Sequence, residues 1–156
     1  AYGRPEIHLK EDILNKYFWA ASRKKFEKVK KLKAEIKTII LHEIIHILQN
    51  SKRPFFSYKG PASPKFNDPA LAKKYFNNPD EIAAWAFSFV DQLHNHEGYT
   101  KEQILSLLKT GEGFKTIKFP NLSKKRTNYR QILNVLTPEN KKRMLSYIYQ
   151  YALKLP

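Results

Sequence analysis

The stretch TIILHEIIHILQ, Thr38 to Gln49, constrains the folding of this chain more than any other. On a helix His42 and His46 stand one turn apart and project from one face. Around them every side is apolar: Ile39, Ile40, Leu41, Ile44, Ile45, Ile47 and Leu48. A helix apolar all round is expected to be buried. Two imidazoles and a carboxylate buried without partners cost on the order of several kcal/mol. A divalent ion compensates directly. Two neutral imidazoles bind it, and the Glu43 carboxylate beside them is stabilised by its charge, placed as general base for a metal-activated water. Composition alone produces this HExxH spacing only about 0.01 times in such a chain, so the pattern carries information. The alternative is a pair of buried histidines bonded to backbone or to carboxylates elsewhere.

A catalytic zinc site takes three protein ligands and leaves a position open. Gln49 and Lys52 stand where the extended motif HExxHxxGxxH needs its glycine and third histidine, so the third ligand is sought elsewhere. Glu81, in NNPDEIAAWAFSFVDQL, lies 35 residues after His46 at the start of the next long amphipathic helix. Its competing role is local. With Asn78 as N-cap, Glu81 is the N3 residue, whose carboxylate can bond the N-cap amide. Asp80 is the substitute ligand, about 100° away around the helix. His94 and His96, in HNHEGY, sit too far along that helix to share the metal if it is straight: His94 is 13 residues on, about 20 Å. A histidine near a helix C-terminus is favoured by the dipole alone.

Organisation follows from punctuation. Residues from about 10 through Gln49 read as one long helix or two nearly continuous ones, with Val29, Leu32, Ile36, Ile39 and Ile40 as a stripe. The proline-rich stretch NSKRPFFSYKGPASPKFNDP reads as a long loop. Asp68-Pro69 and Asn78-Pro79 each open a helix, the second running to about His94. Thr100 to Gln103 is a capping box opening a helix to Lys109. TGEGFKTIKFPNLSKKRTN is irregular, with room for one short strand. Helices then follow over about Asn128 to Leu136 and from Pro138, capped by Thr137, to Leu153.

The chain of 156 residues fits one domain spanning 1–156, and its 42% hydrophobic residues are enough for a core. It has no cysteine, which excludes disulfides and thiolate metal sites and fits a reducing compartment. No apolar run is long enough to cross a membrane. The opening AYGRPEIHLKEDI has no signal-like apolar region and no initial Met, so a processed start and a cytoplasmic or virion location are expected. The net charge of +15 points to an anionic partner or to solubility. Basic runs SRKKFEKVKKLK, SKKRTNYR and NKKRM, with aromatics nearby, suggest weak nucleic-acid binding through phosphates. Equally, such runs are ordinary solvated helix faces.

TIILHEIIHILQ followed by NPDEIAAWAFSFV resembles small zincin metallopeptidases of the gluzincin-like kind, in which HExxH precedes E-x-x-A on a later helix. The closing TPENKKRMLSYIYQYALKL is more loosely similar to small metallopeptidases encoded by bacteriophages. The resemblance implies that His42, His46 and Glu81 ligate Zn2+ and that Glu43 is the catalytic base, acting on a protein or peptide substrate. It implies a mainly α, compact helical zincin-like domain built around the HExxH helix and a Glu-bearing helix, with little or no β-sheet. The chain departs from many zincins in one respect: they set a sheet before the motif helix, where residues 10 to 37 here read as helix. The alternative function is a basic nucleic-acid-binding or virion-associated protein whose metal site is structural or degenerate.

Overall fold

Apolar stripes and capping residues turn the described residues of the computed structural model, 11–51, 68–111 and 129–156, into seven helices with no strand among them. The first is α1 (Glu11–Ser22), and the long motif helix is α2 (Phe26–Ser51). The chain breaks between them at Lys24, whose φ of 52° is left-handed. Lys25 N–H donates to Ala20 O and Lys24 N–H to Ala21 O, both at 3.0 Å. This is the paired closure of a helix that usually ends on glycine. It folds α1 back on α2, and Ile13, Ala20 and Leu32 are buried together with Val29, Ile36 and Ile39 against them. The Val29–Leu32–Ile36–Ile39 stripe therefore serves α1.

Four helix starts stand where the caps predict them. Asp68 accepts from the amides of Ala70 and Leu71 at the head of α3 (Pro69–Phe76). Asn78 accepts from Asp80 N–H at the head of α4 (Pro79–Asp91). Thr100 and Gln103 form the reciprocal capping box of α5 (Lys101–Thr110). After α6 (Tyr129–Val135), Thr137 caps α7 (Pro138–Leu153). Asn77 ties these starts together: its amide donates to Val135 O at 2.9 Å and its oxygen accepts from Thr137 N–H at 2.8 Å. Among the described residues no helix is long and apolar enough to cross a membrane.

The centre of the fold is α4, buried from Asp80 to Asp91 except at Phe87. It packs on α7 on one side and α2 on the other. Phe76, Ile82, Phe89, Leu93, Met144 and Ile148 belong to the main core. α2 and α4 run antiparallel: Gln49 meets the start of α4 through Asp80 O, and Thr38 meets its end through Asp91.

Two expectations change. The second long helix does not continue regularly to His94. It gives way at Gln92 to a π-helical turn, Gln92–His96, in which Glu97 N–H reaches back five residues to Gln92 O at 3.1 Å. Nor is the apolar run of α2 buried all round. His42 is buried, but Ile39, Ile40, Leu41, Ile44, Ile45 and Ile47 keep partial exposure and Leu48 is 54% exposed. The reason is that α2 meets chiefly α1 and α4, which leaves a third side uncovered by the described residues. Most of the expected proline-rich loop, at 52–67, and the expected irregular segment with its short strand, at 112–128, lie outside the described residues.

Candidate metal centre

The site forms where α2 and α4 cross. Because the helices run antiparallel, the face of α2 bearing Thr38, His42 and His46 meets the face of α4 bearing Asp91, Ser88 and Glu81 in reverse order. His42 Nε2 and His46 Nε2 lie 3.2 Å apart. Glu81 Oε2 is 3.7 Å from the first and Glu81 Oε1 is 3.5 Å from the second. Two ligand atoms about 2.0–2.1 Å from one tetrahedral ion stand roughly 3.3–3.4 Å apart. The three measured edges bracket that value, and the three side chains form a group able to hold a metal ion.

Hydrogen bonds at the far side of each ring decide which nitrogen faces the site. Ser88 Oγ donates its hydrogen to Ala84 O at 3.0 Å, so it accepts from His42 Nδ1–H at 3.1 Å. Gln49 Nε2 donates to Asp80 O at 3.3 Å, which turns its carbonyl oxygen toward His46 Nδ1, 3.2 Å away. That oxygen only accepts, so His46 Nδ1 carries the hydrogen. A neutral ring so held turns an Nε2 lone pair to the site, and a protonated ring donates from that same nitrogen toward Glu81. With both rings neutral, two lone pairs face each other beside a carboxylate, and a proton or a metal ion placed among them removes the repulsion. Partners that fix tautomer and ring orientation in this way accompany metal-binding histidines generally.

The electrostatics agree. Burial opposes ionisation of Glu81, but hydrogen bonds and charge from His42 and His46 overcome it and bring its carboxyl down to about 2. Burial likewise opposes protonation of His46, yet the bond and charge of Glu81, with smaller help from Glu43 and Gln49, raise its pKa. The cluster thus collects positive charge, as a proton on His46 or as a metal ion. Trp85 walls it on the inside, its ring 4.5 Å from that of His42. His46 forms the outer edge, with 19% of its side chain exposed.

Of the residues singled out by sequence, the fold brings His42, His46 and Glu81 together. Glu43 is half-buried on the next position of α2, close enough for its charge to act on His46. Asp80 is buried but stands outside the three-residue group. The N-cap bond at Asn78 is made to Asp80 N–H, and the Glu81 carboxylate faces the imidazoles. His94 bonds Tyr99 O at 2.9 Å, away from the cluster.

A second polar knot continues the same interface. Thr38 Oγ1 donates to Asp91 Oδ2 at 2.7 Å and lies 3.0 Å from His96 Nε2, while Asn95 Nδ2 donates to Asp91 Oδ1 at 2.7 Å. Thr38 has one hydrogen and gives it to Asp91, so His96 Nε2 is the donor to its oxygen. In a regular α-helix residue 96 would lie about 140° around from residue 91. The π turn, with its longer repeat, brings them to one side. Sequence reasoning missed Thr38, Ser88, Gln49, Asp91 and the pairing of His96. The available signal was Glu81, Ser88 and Asp91 as polar residues on one side of a helix otherwise made for the core.

Comparison of the chain with models of protein families, with characterised proteins and with solved structures finds no match.

Proposed function

We propose that this protein is a zinc-dependent metallohydrolase that cleaves peptide bonds. The observation that carries this reading is the convergence of two imidazole lone pairs and one carboxylate at 3.2, 3.5 and 3.7 Å, with a glutamate next to the first histidine. His42, His46 and Glu81 would hold the ion through Nε2, Nε2 and a carboxylate oxygen. Zinc bound there would supply a Lewis acid that polarises a carbonyl and lowers the pKa of water to about 7. The work of the chain itself falls on a few groups. Ser88 and Gln49 keep both rings turned inward, and Trp85 closes the inner wall. Glu43 lies about 100° around the helix from His42 and acts on His46 through its charge, so it is assigned as a base and not as a ligand. With the ion bound, Glu43 would take the proton of the attacking water and deliver it to the leaving amine. A purely structural site needs no such carboxylate.

The test is protein purified without an affinity tag, as parent and as Glu43→Gln, analysed for zinc and for cleavage of a mixed peptide library. We expect about one zinc per chain in both, and a loss of hydrolysis of about 10²–10⁴-fold in the variant. An empty site at zinc sufficiency removes the proposal. A full site in a parent that cleaves nothing turns it into a structural or degenerate centre.

A further inference from the structure

The strongest concentration of charge lies away from the metal centre. Residues 23–37 carry eight cations and two carboxylates, six of the +15 net charges of the chain. Their arrangement on the α1–α2 hairpin is specific. Phe26, Lys30, Lys33 and Lys37 follow one another at i, i+4, i+7 and i+11, which places them on one face of α2, and all four are exposed. The row is about 16 Å long at 1.5 Å per residue. Glu27 and Glu35 fall on other sides of the helix. At the turn, the ammonium groups of Lys25 and Lys28 lie 4.5 and 4.6 Å from the centre of the Trp19 ring, which concentrates charge at the corner. Phe26 is 75% exposed and Phe18 64% exposed, so large apolar rings stand open among the cations.

A lysine face kept only for solubility has no use for open aromatic rings. Two anionic partners fit such a surface, and the packing separates them. Binding to a membrane surface scales with the apolar area a helix can insert. Along residues 26–37 the apolar stripe Val29, Leu32 and Ile36 is packed against α1, and the partly exposed Trp19 ring carries two ammonium groups. Over that lysine-bearing stretch of α2 the one fully open apolar group is the Phe26 ring, too little apolar area to anchor a helix in a bilayer. Cations that follow a backbone, with aromatic rings on which bases stack, are the pattern of single-strand nucleic-acid binding. We infer that the exposed face of the α1–α2 hairpin binds single-stranded nucleic acid, with Lys30, Lys33 and Lys37 on phosphates and Phe26 under a base. The inference is independent of the metal centre.

Fluorescence anisotropy of the full chain with a labelled oligothymidylate, between about 50 and 200 mM salt, tests it. The parent should bind with an affinity that falls steeply as salt rises. Replacing Lys30, Lys33 and Lys37 together by Ser should lower the slope of log affinity against log salt by about 2, at roughly 0.7 per phosphate. Phe26→Ala should weaken binding about tenfold and leave the slope unchanged. Replacing Lys141 and Lys142 of α7 by Ser is the control and should leave both quantities near the parent. The inference is overturned if the parent fails to bind at the lowest salt, if the triple variant keeps the full slope, or if the α7 control loses as much. It is overturned in favour of a lipid surface if anionic phosphatidylserine vesicles bind the protein and the oligothymidylate does not displace them.

Discussion

The two sides of α4 are built by opposite rules. Away from α2 it gives Ala86, Phe89 and Val90 to a core that includes Met144, Ile148 and Ala152, with the Phe89 ring 4.4 Å from that of Tyr129 in α6. Toward α2 it presents Glu81, Ser88 and Asp91, all buried, each meeting a polar partner on the facing helix. Volume decides the first interface and direction decides the second. Apolar side chains accept many neighbours provided that the space is filled. A buried hydroxyl or carboxylate accepts only a partner at the right place and angle. The polar side therefore fixes where α2 stops along α4, and the apolar side supplies most of the stability.

The largest expected effect tests that division. Phe89→Ala, on the apolar side, should cost about 3–5 kcal/mol in denaturant unfolding. It should leave zinc stoichiometry intact in whatever fraction stays folded. A loss below ~1 kcal/mol would mean that α4 does not depend on its apolar side.

Glu81→Gln, on the polar side, should do the reverse and abolish tight zinc binding in equilibrium dialysis. It should also change the pH profile of the metal-free protein. The folded pKa of Glu81 lies at about 2, below the ordinary 4.5, so its contribution is present above pH 4.5 and is lost as pH falls toward 2. The folded pKa of His46 is raised above 6.5, so its contribution is present below that pH and is lost as pH rises through the folded value. Both limbs report one contact, and the substitution should flatten both. A variant with the parent's profile would place the stabilising charge elsewhere.

Ser88→Ala is subtler. It frees the His42 ring from its hydrogen-bonded orientation and should weaken zinc binding by about 10–100-fold. Ser88→Thr keeps the hydroxyl and should recover part of the affinity. Equal affinity in Ser88→Ala and the parent would show that packing against Trp85 alone orients the ring. Smallest of all, Asp80→Ala should cost about 1 kcal/mol through the charge at the start of α4 and leave zinc content unchanged. If this variant empties the site, the ligand is Asp80 and the third position is misassigned by one residue.

Much of this architecture was legible in the sequence, for definite reasons. Four caps, at Asp68, Asn78, Thr100 and Thr137, mark helix starts because a cap is a local device. The mainly α fold follows from them and from the spacing of apolar residues. His42 and His46 were readable as a pair because one helix sets their spacing. Glu81 required a long-range inference, that α4 returns beside α2, and the same residue also fitted a cap. The partners on the far side of the site were beyond local rules: no property of Ser88 or Thr38 alone shows that a second helix will face it. The uncovered side of α2 escaped for a related reason. A run of isoleucine and leucine reports a preference for burial, whereas the number of neighbours that arrive is decided elsewhere in the chain.

Residues 11–51 are helical apart from the turn at Arg23, Lys24 and Lys25, so no strand precedes the motif within them. A peptide aligned by an adjoining sheet edge is therefore not what the described residues offer. What the described residues offer a substrate is helix faces and side chains, which a peptide-library assay reads as preference for particular side chains over extended backbone.

The turn at Gln92–His96 can be viewed as an α-helix carrying one residue too many. The surplus shifts the phase of everything beyond it, so one continuous rod serves two addresses: Glu81 and Ser88 upstream are set for His42 and His46, and His96 downstream is set for Thr38. Forcing that turn into the ordinary period with every residue kept would carry His96 to about 140° from Asp91 while leaving the upstream face where it is. The chain thus carries, in one extra residue, a means of tuning the far end of the α2–α4 seam without disturbing the end that holds the metal ligands.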